Sequence, residues 1–384
     1  MKILIAGDFC PRDRVADIIR KHQYVEVLND VHEIVQQHDY AIVNEECPII
    51  EKKTRPITKF CSNLSFIKEG LEALKYAGFD CLTLANNHFK DYGDNGVKQT
   101  LAAIQTVGFD VVGGGRCLQD AQKVLYKQLG NTNIAIINFC EHEFSIATAT
   151  SAGSAPLDLS SNYYQIREAR ENADIVIVIV HGGHEHYQLP SPRMKKTYRM
   201  FIDWGADVVV NHHQHCISGY DTYKGKCIFY GLGNFCFDSP SSRNSIWNEG
   251  LMLSLDFVDK TAYTFELLPY KQCDENPCIE VLYGEKRETI LLRVADLNAI
   301  IQDDGSLQSA FEEYCKKRYQ EMQLAISPYT GWFWKGLCRR GLIPSFNSIR
   351  RIVKLRNFVQ CESHRDVLNQ YLDHCYLEYE DKQQ

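Results

Sequence analysis

From the first residue to about residue 235, short apolar runs alternate with stretches in which apolar positions recur every three or four residues. The runs are Lys2 to Ala6, Tyr40 to Val43, Asp80 to Ala85, Phe109 to Val112, Asn133 to Phe139, Asp174 to Val180, Asp207 to Val210 and Lys226 to Tyr230. Each is short and nearly continuous, which predicts strands buried on both faces. Between them, Ser65 to Ala77, Asp94 to Val107, Ser161 to Asn172 and Ser191 to Trp204 predict helices, with Asp94 as N-cap and Gly108 at the C-cap of the second. Apolar strands alternating with helices imply sheets covered by helices, an α/β layered architecture. After Asn234 the alternation stops. Residues 250–256 and 262–268 predict an antiparallel pair, and from about residue 295 the chain turns largely helical and ends in a polar tail. That shift divides the chain into a domain over 1–294 and a helical extension over 295–384.

The residues that follow the runs carry the chemistry. Gly7-Asp8-Phe9-Cys10 follows the first, Asn44-Glu45-Glu46 the second and Asn86-Asn87-His88 the third. The run ending at Val180 leads into His181-Gly182-Gly183-His184-Glu185-His186, and the one ending at Val210 into Asn211-His212-His213-Gln214-His215. In α/β sheets ligands sit beyond the carboxyl ends of the strands, so five strands are expected to deliver carboxylates, amides and imidazoles to one edge. Seven of the thirteen histidines fall in three of these segments; solvated histidines would be spread more evenly. Neutral imidazole and carboxylate suit zinc, manganese or iron, with an Asn carbonyl as a supplement. A carboxylate bridging two such ions would hold them about 3.5 to 4 Å apart. Farther along the third segment, Asp91 to Asp94 are expected to turn the chain, with Gly93 supplying the turn conformation and Asp94 starting the next helix.

Composition narrows the class. With 384 residues, 45% hydrophobic and 24% charged, the chain is globular, and its net charge of −7 argues against a nucleic-acid partner. Fifteen scattered cysteines, an odd number with no CxxC pair, fit neither a disulfide framework nor a zinc knuckle and are expected to be reduced, buried side chains. No uninterrupted apolar stretch is long enough to span a bilayer, and Met1 to Ala6 already reads as a strand, so the expected location is cytoplasmic, at most peripheral at the inner face of the membrane.

In order and spacing, GD at 7–8, NEE at 44–46, ANNHFKDYG at 85–93, HGGHEHY at 181–187, PSPR at 190–193, GADVVVNHHQH at 205–215 and GLGNFCFD at 231–238 resemble the CapA-type poly-γ-glutamate capsule biosynthesis family, a branch of the calcineurin-like metallophosphoesterases. The resemblance covers about residues 1 to 240. It implies a layered metallophosphoesterase-like α/β sandwich, two sheets flanked by helices, here with a mainly helical C-terminal extension. It also implies one or two divalent metal ions (Mn, Zn or Fe) held by Asp8, Glu46 as the bridge, Asn87, His181, His213 and His215. His88 would assist the leaving group, and Glu185 would act with it or, with Asn86 and Asn234, line the substrate side. Cys10 stands where phosphoesterases place a histidine, and Gly183, Asn211 and Gln214 stand where the family often carries Trp, Gly and Pro.

Two functional readings follow from the resemblance. One is a metal-dependent hydrolase or transferase serving a capsule or another cell-surface polymer, acting on a phosphoester or γ-glutamyl amide bond. The other is a non-catalytic component that recognises the polymer or assembles with its synthase, which Cys10 favours. The implied partner is an anionic polymer or its precursor. Outside the resemblance, Tyr329 to Lys335, Arg339-Arg340, Arg350-Arg351, Lys354 and Arg356 combine aromatic and basic residues; they read either as a helix docked on the main domain or as a contact with an anionic membrane surface, a polymer or synthase subunits.

Overall fold

The computed structural model describes residues 1–325 apart from 60 and 261, then 331–344, 348–360 and the single positions 372, 376 and 379. Tyr329 and Thr330, and most of the polar tail, lie outside the described residues.

Strand Lys2–Phe9 runs through the first sheet with both faces dry. Ile3 and Ile5 join one buried cluster, Leu4 and Ala6 another, because successive side chains of a strand point to opposite faces. It pairs in parallel with Tyr40–Glu45, which continues to Cys81–Thr83 and Asp110–Val112. On its other side it pairs antiparallel with Glu249–Phe257, which leads to Tyr263–Gln272 and Ile279–Val281, while Asn234–Cys236 pairs in parallel with its carboxyl end. The second sheet runs Tyr220–Tyr223, Lys226–Phe229, Val208–His212, Ile175–His181, Thr132–Cys140 and Leu125–Leu129, its four middle strands parallel.

The two sheets share a core. Ile3, Ile5, Tyr40 and Ile42 of the first belong to one cluster with Ile134, Ile136, Ile177 and Val210 of the second. Helices Asp13–Arg20, Tyr24–Val35, Glu69–Ala77 and Gly93–Val107 cover the first sheet's other face through Val15, Val27, Leu71 and Val97. Phe139, out of phase with Ile134 and Ile136, points away from the shared core and meets Phe201 of helix Pro192–Trp204 edge-on at 5.3 Å. The result is the expected layered sandwich of two sheets flanked by helices, followed by the helices Gly284–Gln302, Asp304–Ala325, Trp332–Arg339 and Ile349–Gln360. By Cα proximity the chain forms two compact units, Met1–Gln308 and Ser309–Gln384. Among the described residues no helix is long and apolar enough to cross a membrane.

Local signals set the helix ends unevenly. Ser191 caps Pro192–Trp204 through the Met194 N–H, and Gly108, at φ 85, closes Gly93–Val107 in the left-handed conformation that favours glycine. Asp94 is not the cap expected of it. The helix begins at Gly93, and the Asp94 carboxylate instead accepts from the Ala152 N–H at 3.2 Å and pairs with Lys90; a tertiary contact outcompetes the local cap.

Candidate metal centre

The five strand ends meet, but from two sheets rather than one. Asp8, Glu46 and the segment Asn86-Asn87-His88 come from the first sheet; His181, His213 and His215 come from the second. All are buried although they are polar. His213 (φ 89) and His215 (φ 54) sit in the left-handed region, a conformation costing roughly 1–3 kcal/mol for a residue with a Cβ. The surrounding fold holds them there: the His213 N–H donates to Asp8 Oδ2 at 3.2 Å, and Asn234 Oδ1 accepts from His215 Nδ1 at 2.8 Å. The second bond leaves His215 Nε2, 3.7 Å from Glu46 Oε1, as its free nitrogen.

Glu46 is common to two sets of ligating atoms. Asp8, Glu46 and His215 form one triad and Glu46, His181 and His213 another, the atoms of each within 4.8 Å of one another. In the second, His181 Nε2 lies 3.0 Å from Asn87 Oδ1 and 3.1 Å from His213 Nδ1, so the predicted amide joins the same group. Both Glu46 carboxylate oxygens are buried with no hydrogen-bond partner among the described residues. A buried carboxylate without donors is costly unless a cation meets it. The donor set, carboxylate, imidazole and amide oxygen, is one that divalent ions accept, so these residues fit such an ion.

Electrostatics agree. Burial pushes the Glu46 carboxyl well above the usual range, and the neighbouring Asp8 adds to it. Burial also raises Asp8, but the His215 hydrogen bond and the charges of His181 and His212 outweigh it and hold that carboxyl well below its ordinary value. Burial lowers His215, yet Glu46 and Asp8 override it and push the imidazole up to about 10. His181 is kept well below its usual value by burial and then by His213, so its ring stays neutral and able to ligate.

His88 stands beside the triads in a cluster of its own. Its Nδ1 is 2.8 Å from Asp91 Oδ2 and 3.1 Å from Lys59 Nζ, and Lys59 Nζ is 2.5 Å from Asp91 Oδ1. The contact with a carboxylate oxygen requires the proton on Nδ1, which leaves Nε2 for a reacting atom. Asp91, read from sequence as part of a turn, is fully buried and also accepts from the Leu64 N–H at 2.6 Å. Asn86 faces the protein: its Nδ2 donates to the Glu45 carbonyl at 2.8 Å and its Oδ1 accepts from the His88 N–H at 3.1 Å. Cys10 lies in the apolar core, its thiol pushed up by burial, and belongs to none of the ligand triads.

Sequence reasoning missed Lys59, Glu141 and Glu143. Glu143 accepts from Asn87 Nδ2 at 3.0 Å, and Glu141 Oε2 accepts from the Gly183 N–H at 3.0 Å. Both acids follow the strand Thr132–Cys140 closely, so the strand-end rule that pointed to the other candidate residues covers them as well. Lys59 lies in an irregular segment with no periodic signal.

Residues 2–239 match the family described as "Bacterial capsule synthesis protein PGA_cap", well over half of the chain and every residue of this cluster. The chain belongs to that family. Among its relatives, the PGA biosynthesis protein CapA of Bacillus subtilis (strain 168) is 35% identical over 268 residues, 69% of this chain and 70% of that protein. The capsule biosynthesis protein CapA of Bacillus anthracis is 33% identical over 251 residues, 63% of this chain and 61% of that protein, so the chain spans about three fifths of the latter's length. A 5'-nucleotidase precursor from Thermus thermophilus is similar in structure, with a TM-score of 0.41 at 13% identity over 79% of this chain and 60% of that one; a likeness so distant says nothing of the reaction.

Proposed function

We propose that the protein is a metal-dependent hydrolase or transferase serving synthesis of a poly-γ-glutamate-type capsule or a related cell-surface polymer, with an anionic polymer or its precursor as substrate. The observation that carries the reading is Glu46: one buried carboxylate, without hydrogen-bond donors among the described residues, shared by two ligand triads. The names of the two Bacillus relatives support the polymer.

Asp8, Glu46, Asn87, His181, His213 and His215 would hold the divalent ions, and Asn234 would orient His215. The chemistry such ions supply when bound is Lewis acidity toward an oxygen of the bond being broken and toward the attacking water. His88 works beside them. Burial holds its pKa below the ordinary value even though Asp91 pulls it up, so the resting ring is neutral. Asp91 fixes the Nδ1 proton, and Lys59 balances the Asp91 charge. Nε2 then takes a proton from the nucleophile and returns it to the leaving atom. Phosphoester, amide and anhydride bonds all suit this arrangement.

The second reading is a non-catalytic component that recognises the polymer or assembles with its synthase. Cys10 favours it, because that position contributes a core thiol and no ligand. Elemental analysis, followed by turnover of a generic phosphodiester and of a γ-glutamyl amide by wild type and His88→Ala, separates the two. The first reading expects bound metal in both proteins and a 10²- to 10⁴-fold loss of turnover in the variant. Equal, trace-level turnover by both proteins favours the second.

In either reading we propose a cytoplasmic location, at most peripheral at the inner face of the membrane. The segment Trp332–Arg339 supports the surface contact, with Trp332 90% and Phe333 59% exposed beside Lys335 and Arg339. So does helix Ile349–Gln360, which carries four basic and no acidic residues.

A further inference from the structure

Glu185 stands apart from the two triads in its exposure and not in its reach. Its carboxylate lies within 4.8 Å of a ring nitrogen of both His213 and His215, one histidine from each triad. Glu46 bridges those triads from the buried side, whereas Glu185 belongs to an exposed loop position. The two carboxylates are therefore placed to bracket the same pair of sites.

The backbone keeps Glu185 there. Gly183, at φ 105, donates its N–H to Glu141 Oε2 at 3.0 Å, and His186, at φ 61, donates its N–H to the Gln214 carbonyl at 2.8 Å. Gln214 lies between the two histidines, and its side-chain Nε2 returns to the Tyr187 and Leu189 carbonyls at 2.8 and 3.1 Å. The loop that carries Glu185 is thus tied to Glu141 on its N-terminal side and, on its C-terminal side, to the segment that carries His213 and His215. A left-handed backbone at His186 is strain that this clamp sustains.

Charge gives the arrangement a purpose. Two divalent ions would bring four positive charges into a largely buried site, where the carboxylates of the two triads, Asp8 and Glu46, supply two negative ones. Cys10, sunk in the core, supplies none. A third carboxylate brings the centre nearer to neutrality, which a poorly solvated ion cluster requires.

We propose that Glu185 is a metal ligand that closes the binuclear cluster from the solvent side, and not a group that contacts substrate alone. The inference rests on the metal reading above. The test loads the full-length protein with zinc, dialyses it against a graded chelator series, and measures zinc per chain in wild type, Glu185→Gln and Glu185→Asp. The Gln variant is expected to release one ion at a chelator strength at least about 10-fold below wild type, since even the loss of an outer-shell partner costs 10- to 100-fold in affinity; the Asp variant should fall between. Zinc retention by Glu185→Gln equal to wild type, whether or not KM for substrate rises, overturns the inference and leaves the metal reading intact. If wild type itself takes up no zinc, both fall. Should Glu185→Gln fail to fold, the Asp variant is judged by the same comparison.

Discussion

Asp91→Ala removes the carboxylate that faces Lys59 in a place without water. Both side chains are 0% exposed and their charged atoms are 2.5 Å apart, so the substitution leaves an ammonium buried with its partner gone. Breaking a buried ion pair from one side costs about 3–5 kcal/mol. The Leu64 N–H, which donates to Asp91 Oδ2 at 2.6 Å, loses its acceptor as well, worth about 1–3 kcal/mol alone but overlapping with the first term. The Phe144 ring, 5.5 Å from Lys59 Nζ, is in place before and after the substitution and cancels from the difference. The net expectation is about 4 kcal/mol, a large part of the 5–15 kcal/mol that holds a typical domain together. Urea unfolding at neutral pH measures it, and the double variant Lys59→Met/Asp91→Ala isolates the cause. With no ammonium to strand, the double variant should be more stable than Asp91→Ala by about 2 kcal/mol. A loss below about 1 kcal/mol for the single variant, or a double variant no more stable than the single, refutes the claim that a desolvated charge pair holds this loop.

Other perturbations act on the same frame. Gly7→Ala places a Cβ 1.9 Å from the Gly233 carbonyl oxygen, so the strand carrying Asn234 must move; a loss of about 1–3 kcal/mol in urea unfolding is expected, and an unchanged midpoint contradicts the close approach. Asn234→Ala frees the His215 ring and should weaken metal binding about 10- to 100-fold in chelator competition without unfolding the protein. Full-length protein should sediment with vesicles containing phosphatidylserine but not with pure phosphatidylcholine, and a Trp332→Ser/Phe333→Ser variant should lose that binding; equal sedimentation with both lipids removes the electrostatic part of the contact.

Much of this architecture is written in the chain. The continuous apolar runs marked the parallel strands because a strand with both faces covered has no polar positions to alternate, as Ile175–His181 shows with every residue buried. The candidate ligands stood out because they follow those runs immediately. What stayed hidden depends on contacts between distant segments. Nothing local says that the first three strand ends and the last two belong to different sheets. Asp91 has the company of a turn residue, and only its burial against Lys59, 32 positions earlier, gives it another role. Asp94 failed as a cap for the same reason: the Ala152 N–H, 58 positions later, takes its carboxylate. The short strands Leu125–Leu129 and Tyr220–Tyr223 have partly exposed residues and lack a continuous apolar run, so they gave no strand signal.

The central claim is that Glu46 holds two divalent ions at once. The most direct measurement is metal per chain after loading and dialysis, for wild type, Asp8→Ala and Glu46→Ala. Two equivalents in wild type, about one in Asp8→Ala and none retained in Glu46→Ala are predicted, because Asp8 serves one triad and Glu46 both. A Glu46→Ala variant that folds and keeps the wild-type metal content would contradict the account.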